Sequence, residues 1–203
     1  MKIHQNQCHI IISISEQLLI VFKGESVLKE YMIASAKNGI GQQKGSECTP
    51  LGKHRIAQKI GDNAPINAIF VGRQQQTEIY SEALAKTQAN RDWILTRILW
   101  LDGLEEGFNS GFLTEVNMER NNSKKNEFSI ATIDNRTNAE EKEMTKNEKI
   151  SCDTKGRYIY IHGCPDSHAM QIPSSHGCIK MRNTDVVELF DMVSVDTKVI
   201  IKN

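Results

Sequence analysis

The chain has 203 residues, 39% of them apolar and 25% charged, and its 25 basic and 25 acidic side chains cancel to a formal net charge of zero. That length allows one well-buried domain and barely two. A chain without net charge has no global field to steer it to nucleic acid or anionic lipid, so no nucleic-acid partner is expected.

The N-terminal stretch imitates an export signal: Lys2, the apolar "HIIISIS" and "LLIVF", then small Ala34-Ser35-Ala36. Yet Glu16-Gln17 splits the apolar part, and Lys23, Glu25, Lys29 and Glu30 precede the supposed cleavage point. No run approaches the roughly 18 apolar residues of a membrane span. The segment therefore reads as two strands, His9–Ile14 and Leu18–Phe22, and the protein as cytoplasmic and without a membrane span. "SVLKEYMIASA" supplies a third strand, with Val27, Tyr31 and Ile33 available to pack. "NGIGQQKGSECTPLGKHRI" is punctuated by glycines and reads as loop until His54–Ile56. "NAIFVG" and "TEIYS" are further strands, whereas "RDWILTRILWLDG" fits strand or helix, since a short apolar run does not fix the period.

Between Asn117 and Ile150 the character changes: 14 of 34 residues are charged and seven are asparagine. So polar a segment cannot bury enough surface to offset its ordering entropy, and it reads as a flexible insertion in a single 1–203 domain. In "GRYIYIHG", alternation places Tyr158, Tyr160 and His162 on one face and Arg157, Ile159 and Ile161 on the other. Gly163 and Pro165 end that strand. In "NTDVVELFDMV", Val186, Leu189, Phe190 and Val193 form one apolar helical stripe, with Asn183, Thr184 and Asp185 as N-cap candidates. "TKVIIK" is a last strand. The whole is expected to be mainly β with a short C-terminal helix.

The triplet His-Gly-Cys occurs twice, at His162-Gly163-Cys164 and His176-Gly177-Cys178, with His168 between. A four-ligand zinc site is one reading, but zinc pairs usually leave two or more residues between ligands and here each pair leaves one. A second reading is that the thiols only fill space, which suits Cys8, Cys48, Cys152 and Cys164. An odd set of five cysteines at irregular spacing is also no disulfide framework. The third reading is nucleophilic catalysis. A thiol with pKa near 8.5 is only a few per cent thiolate at neutral pH, and His162, aimed from a strand end, takes its proton to leave an ion pair. Gly177 and Cys178 can offer N–H groups to an oxyanion, while Ser175 and His176 shape the approach.

The stretch "YIYIHGCPDSHAMQIPSSHGCIKMRNTDVVELF" resembles the signature of the L,D-transpeptidase (YkuD-like) catalytic domain: a His-Gly at a strand end, then Ser-His-Gly-Cys about a dozen residues on. Thr49–Gly52 is similar to the family's Thr-Pro-x-Gly element, and the resemblance spans roughly residues 9–112 and 156–202. It implies a β-sandwich catalytic domain with Cys178 as nucleophile, His162 as base, the Gly163 carbonyl as the acceptor that orients the imidazole, and His176 and Ser175 ordering the site. It makes Cys164 a bystander. Lys180 stands where relatives often have arginine; Lys180 and Arg182, with Tyr160, are candidates for gripping substrate, and both cations read equally well as solvated surface charges. The implied substrate is a peptidoglycan stem tetrapeptide or muropeptide, attacked at its third residue with loss of terminal D-alanine, without metal or cofactor. Transfer to an amine makes a transpeptidase; transfer to water makes an L,D-carboxypeptidase. The family implies the periplasm or cell envelope, against the cytoplasmic location read from the N-terminus.

Overall fold

A computed structural model describes residues 7–88, 91–113 and 149–203. Its strands are β1 (Cys8–Ser13), β2 (Leu18–Lys23), β3 (Ser26–Met32), β4 (Gly52–Ile60), β5 (Ala68–Val71), β6 (Gln74–Ile79), β7 (Ile94–Gly103), β8 (Tyr160–Gly163), β9 (Ile179–Met181) and β10 (Lys198–Lys202). Among the described residues two helices accompany them, α1 (Glu82–Thr87) and α2 (Asn183–Met192). The mainly β expectation holds, and the ambiguous "WILTRILWLDG" is strand β7. Its period was hidden because β7 is buried on both faces, with Leu95, Ile98, Leu99 and Leu101 all at 0% exposure.

Hydrogen bonding runs β3-β2-β1-β10-β4-β7, with β5-β6 added beside the start of β7 and β8-β9 along its other edge. Beyond β9 the path meets the chain just past β3: Ala34 N–H donates to Lys180 O at 3.0 Å and Lys180 N–H to Ala34 O at 2.9 Å. The sheet thus curls back to its own beginning around a core that includes Ile10, Ile12, Leu19, Val21, Ile56, Leu99, Ile161, Ile179 and Met181. The stripe of α2 behaves as its spacing predicts, with Val186, Leu189 and Phe190 in that core. Each such side chain withdrawn from water is worth about 1.5–3 kcal/mol.

Two local expectations are corrected, and one helix had gone unread. The helix α2 has Arg182 at its N-cap and no side-chain cap bond. Asn183 turns inward instead, accepting from Thr96 Oγ1 at 2.6 Å and donating to Cys164 O at 2.9 Å and Asn67 Oδ1 at 3.0 Å, since interior partners outweigh one exposed cap bond. Tyr158 is not part of β8: its φ of +60° puts it in a turn, and the strand begins at Tyr160. The helix α1, capped by Ser81 Oγ on Leu84 N–H, had no apolar stripe to announce it and buries no residue. The polar segment read at 117–150 lies outside the described residues except for Lys149 and Ile150. Among the described residues, no helix is long and apolar enough to cross a membrane.

His54 on β4 ties the sheet to the segment that enters β8. It is 1% exposed, with Nδ1 3.0 Å from Gly52 O and Nε2 3.2 Å from Thr154 Oγ1. Burial disfavours the charged ring and pulls its pKa from 6.5 down to about 4. The folded state therefore holds fewer protons than the unfolded chain across that interval, so stability present above pH 6.5 is lost as pH falls towards 4. This group alone should cost about 2–3 kcal/mol between pH 7.5 and 4.5. Urea unfolding of wild type and His54→Gln at both pH values checks it: the variant should lose visibly less on acidification, and an identical acid loss would exclude His54 as the source.

Candidate active site

The strands β8 and β9 run parallel, with Ile161 opposite Ile179 and His162 opposite Lys180. Ile161, Ile179 and Met181 face the main core, so alternation sends Tyr160, His162, Cys178 and Lys180 to the other face. There Cys178 packs against Tyr160 in a second cluster with Ala64, Ala68, Phe70 and Ile98. The half-buried thiol is held by backbone: Tyr160 N–H donates to Sγ at 3.4 Å, and Sγ donates to Tyr158 O at 3.5 Å. His162 lies two residues beyond Tyr160 on the same face, about 7 Å along the strand.

The imidazole is completely buried. Its Nδ1 lies 2.8 Å from Gly163 O, an atom that can only accept, so Nδ1 carries the proton. Nε2 is left as a bare acceptor and has no hydrogen-bond partner among the described residues. This is the orienting contact implied for Gly163. The residue is glycine because a Cβ there would fall on Asn183 Oδ1 and come within 2.8 Å of Leu95 O.

A chain of short bonds fixes the loop before Cys178. Ser175 Oγ donates to Cys178 O at 2.5 Å and accepts Gly177 N–H at 3.2 Å. Thr49, from the Thr-Pro-x-Gly element, donates to Gly177 O at 3.1 Å and accepts Ala36 N–H at 3.1 Å. Gly177 has φ +126°, and an added Cβ would sit 2.8 Å from Ile159 Cδ1 and 3.2 Å from Cys48 O. Arg157 pins the adjoining 41–48 loop by donating to the carbonyls of Gly41, Gln42 and Cys48 at 3.0, 2.8 and 2.6 Å. A cleft of about 350 Å³ opens between this loop, Tyr158 and His176.

Burial bears on both candidate partners. It pushes the Cys178 thiol up to about 12 and pulls His162 below the ordinary imidazole range. Both shifts disfavour the charged forms and so work against the ion pair read from the sequence. Lys180 departs as well: it is 3% exposed, not a solvated surface charge. Its Nζ donates to Ser174 O at 3.1 Å and lies 3.8 Å from Asp92 Oδ1. Arg182 is half-buried and donates to Asp166 O at 2.6 Å. His176 points outward, 64% exposed at its side chain, with Nδ1 3.8 Å from Asp92 Oδ2.

The two triplets therefore do not converge as a zinc set. Cys164 is wholly buried, donates to Met181 O at 3.4 Å, and is pushed up to about 11 by burial. Among the described residues, no three His, Cys, Asp or Glu side chains gather to hold a metal ion, and all five cysteines are free thiols. The sequence reading missed Asp92, the Tyr158 carbonyl and the Thr49 clamp. Only Thr49 left a trace there, within a motif too short to be read alone.

Residues 7–201 match the family model of the L,D-transpeptidase catalytic domain, YkuD, and the chain belongs to that family. No curated protein matches the sequence. Solved structures similar to it include an L,D-transpeptidase from Mycobacterium smegmatis at 12% identity, covering 97% of this chain and 59% of that one, with a TM-score of 0.47. Another is the L,D-transpeptidase of Xylanimonas cellulosilytica at 13% identity, covering 99% and 63%, with a TM-score of 0.46. A third, from Stackebrandtia nassauensis, is 11% identical, with coverage of 100% and 58% and a TM-score of 0.45. The chain spans about three fifths of the length of these proteins.

Proposed function

We propose that the chain is a cysteine acyltransferase of peptidoglycan stem tetrapeptides, with Cys178 as nucleophile and His162 as base. The observation that carries this reading is the buried imidazole whose Nδ1 is committed to Gly163 O, leaving Nε2 unpartnered on the face that bears Cys178. Family membership supports the substrate class.

Because burial disfavours both charged forms, the proton is taken to move as the substrate is attacked. Rotation of Cys178 away from Tyr158 O is the movement this reading requires to bring Sγ to Nε2. The Sγ–C bond forms at the third-residue carbonyl while Nε2 takes the thiol proton, and Tyr160 N–H supports the sulfur as it gains charge. Cys178 N–H serves the oxyanion, Gly177 N–H being engaged by Ser175 Oγ. Collapse breaks the bond to terminal D-alanine, whose nitrogen takes the proton from His162, and a thioester remains on Cys178. An amine from a second stem or water then attacks, its proton passing to Nε2 and on to the departing sulfur. Transfer to the amine is the reading for the family chemistry; hydrolysis, making an L,D-carboxypeptidase, uses the same residues.

Incubating the protein with a disaccharide tetrapeptide, with and without an added amine acceptor, tests both by mass spectrometry. A product joined through the third residue identifies transfer, and tripeptide alone identifies hydrolysis. Intact tetrapeptide without a mass shift on Cys178 would refute the proposal.

A further inference from the structure

At the far end of the Tyr160 side chain from Cys178 stands a cation that none of the preceding chemistry uses. Arg73 occupies the two-residue turn between β5 and β6, where Gly72 and Arg73 have φ of +54° and +69°, a mirror-image turn that holds a hairpin tightly. Its guanidinium lies over two rings, 4.6 Å from the Trp100 centroid and 4.9 Å from that of Tyr158. Nη1 donates to Tyr160 OH at 3.0 Å. Tyr160 is the residue whose N–H reaches the Cys178 sulfur, and Tyr158 is the one whose carbonyl receives its proton. Arg73 is thus one tyrosine side chain from the thiol, on the face that carries it.

The other five described arginines spend their donors on oxygens of the chain. Arg55 pairs with Asp102 and Asp196, Arg91 binds Gln88 Oε1, and Arg97, Arg157 and Arg182 bind backbone carbonyls. Arg73 has one phenol and two ring faces, and among the described residues it has no carboxylate within ion-pair distance. Stacking leaves the planar fork already oriented, so little side-chain freedom remains to be lost when an anion binds in-plane. Arg73 is half-buried and Tyr158 is 52% exposed, so the stack lies at the protein surface.

We propose that Arg73 recognises a carboxylate of the donor peptide, near the scissile carbonyl but not part of it. The inference rests on the acyl-transfer reading for the identity of the peptide. Two parts of a tetrapeptide can supply the group: the C-terminal carboxylate, or a carboxylate on the side chain of the third residue. The side chains of 2,6-diaminopimelate and lysine differ there by that one group.

The test uses four tetrapeptides, diaminopimelate or lysine at position three, each as C-terminal acid or amide, with wild type and Arg73→Gln. A lost charged hydrogen bond should lower kcat/KM about 10- to 100-fold, mainly through KM. If the loss vanishes with amides, Arg73 reads the C-terminus; if it vanishes with lysine, it reads the side chain. An equal loss on all four, or none, overturns the proposal, because a guanidinium that only props Tyr158 and Trp100 would not distinguish them. Calorimetric binding of the same peptides to Cys178→Ala and to Cys178→Ala/Arg73→Gln separates this result from the chemistry. Carboxylate-dependent binding that needs Arg73 sustains the inference even without turnover. Turnover in wild type with binding indifferent to Arg73, or no binding to either protein, defeats it. Arg73→Lys, which keeps the charge without the fork, should recover only part of the loss, and thermal melting should show each variant folded.

Discussion

Replacing Cys178 by alanine should remove D-alanine release from a tetrapeptide, by about 10⁴-fold or more, while Cys164→Ser keeps most of it. The two thiols share the same His-Gly-Cys triplet but not the same surroundings. Cys178 is half-buried on the face that carries His162 and Tyr160, and among the described residues its sulfur hydrogen-bonds to backbone groups that can release it. Cys164 has no exposure, and its thiol donates to Met181 O, a bond that a serine hydroxyl can reproduce. Neither substitution touches the main core, so melting temperatures should stay close to wild type. Mass spectrometry after brief incubation with a tetrapeptide should find the acyl adduct on Cys178 alone. Equal loss in the two variants would mean that the triplets act as one unit and that a single nucleophile is the wrong description.

His162→Ala should lower kcat by about 10²–10⁴, the usual contribution of a general base. The pH dependence is the sharper readout. The wild-type base must be neutral, and its pKa is held below 6.5 by burial, so kcat/KM should be level from about pH 7 to 9 and fall only on the acid side of 6.5. Without His162 the thiol must ionise unaided. Since it lies near 12, activity of the variant should climb about tenfold per pH unit through this range. His162→Asn keeps a polar group beside Gly163 O but supplies no base, and it should behave like the alanine variant if the loss is chemical rather than a packing defect. A wild-type profile that falls above pH 8 would instead point to a resting thiolate–imidazolium pair.

The sequence was informative where pattern and burial agree. The α2 stripe, the strand read at His9–Ile14, and the placing of His162 before a glycine at a strand end all survived as read. It was uninformative where tertiary contacts decide. Nothing in "RDWILTRILW" reveals that neighbours cover β7 on both edges. Nothing local says that Asn183 forgoes its capping place for Thr96 and Cys164, far off in the chain. The burial of the two candidate partners was illegible for the same reason. Spacing puts a thiol near an imidazole, but only the fold sets Cys178 against Ile98, Phe70 and Tyr160 and buries His162, which disfavours their ions. Lys180 looked like surface because it is lysine; its burial follows from β9 lying between β8 and the Ala34 segment.

That seam between Ala34 and Lys180 has a consequence for the order of events during folding. Its two sides lie far apart in sequence, so its loop-closure entropy makes it a late step. Because the seam sits on β9, the strand that follows Cys178 is held on both edges only when that step is complete, and a half-assembled molecule lacks the arrangement proposed for the thiol and the imidazole.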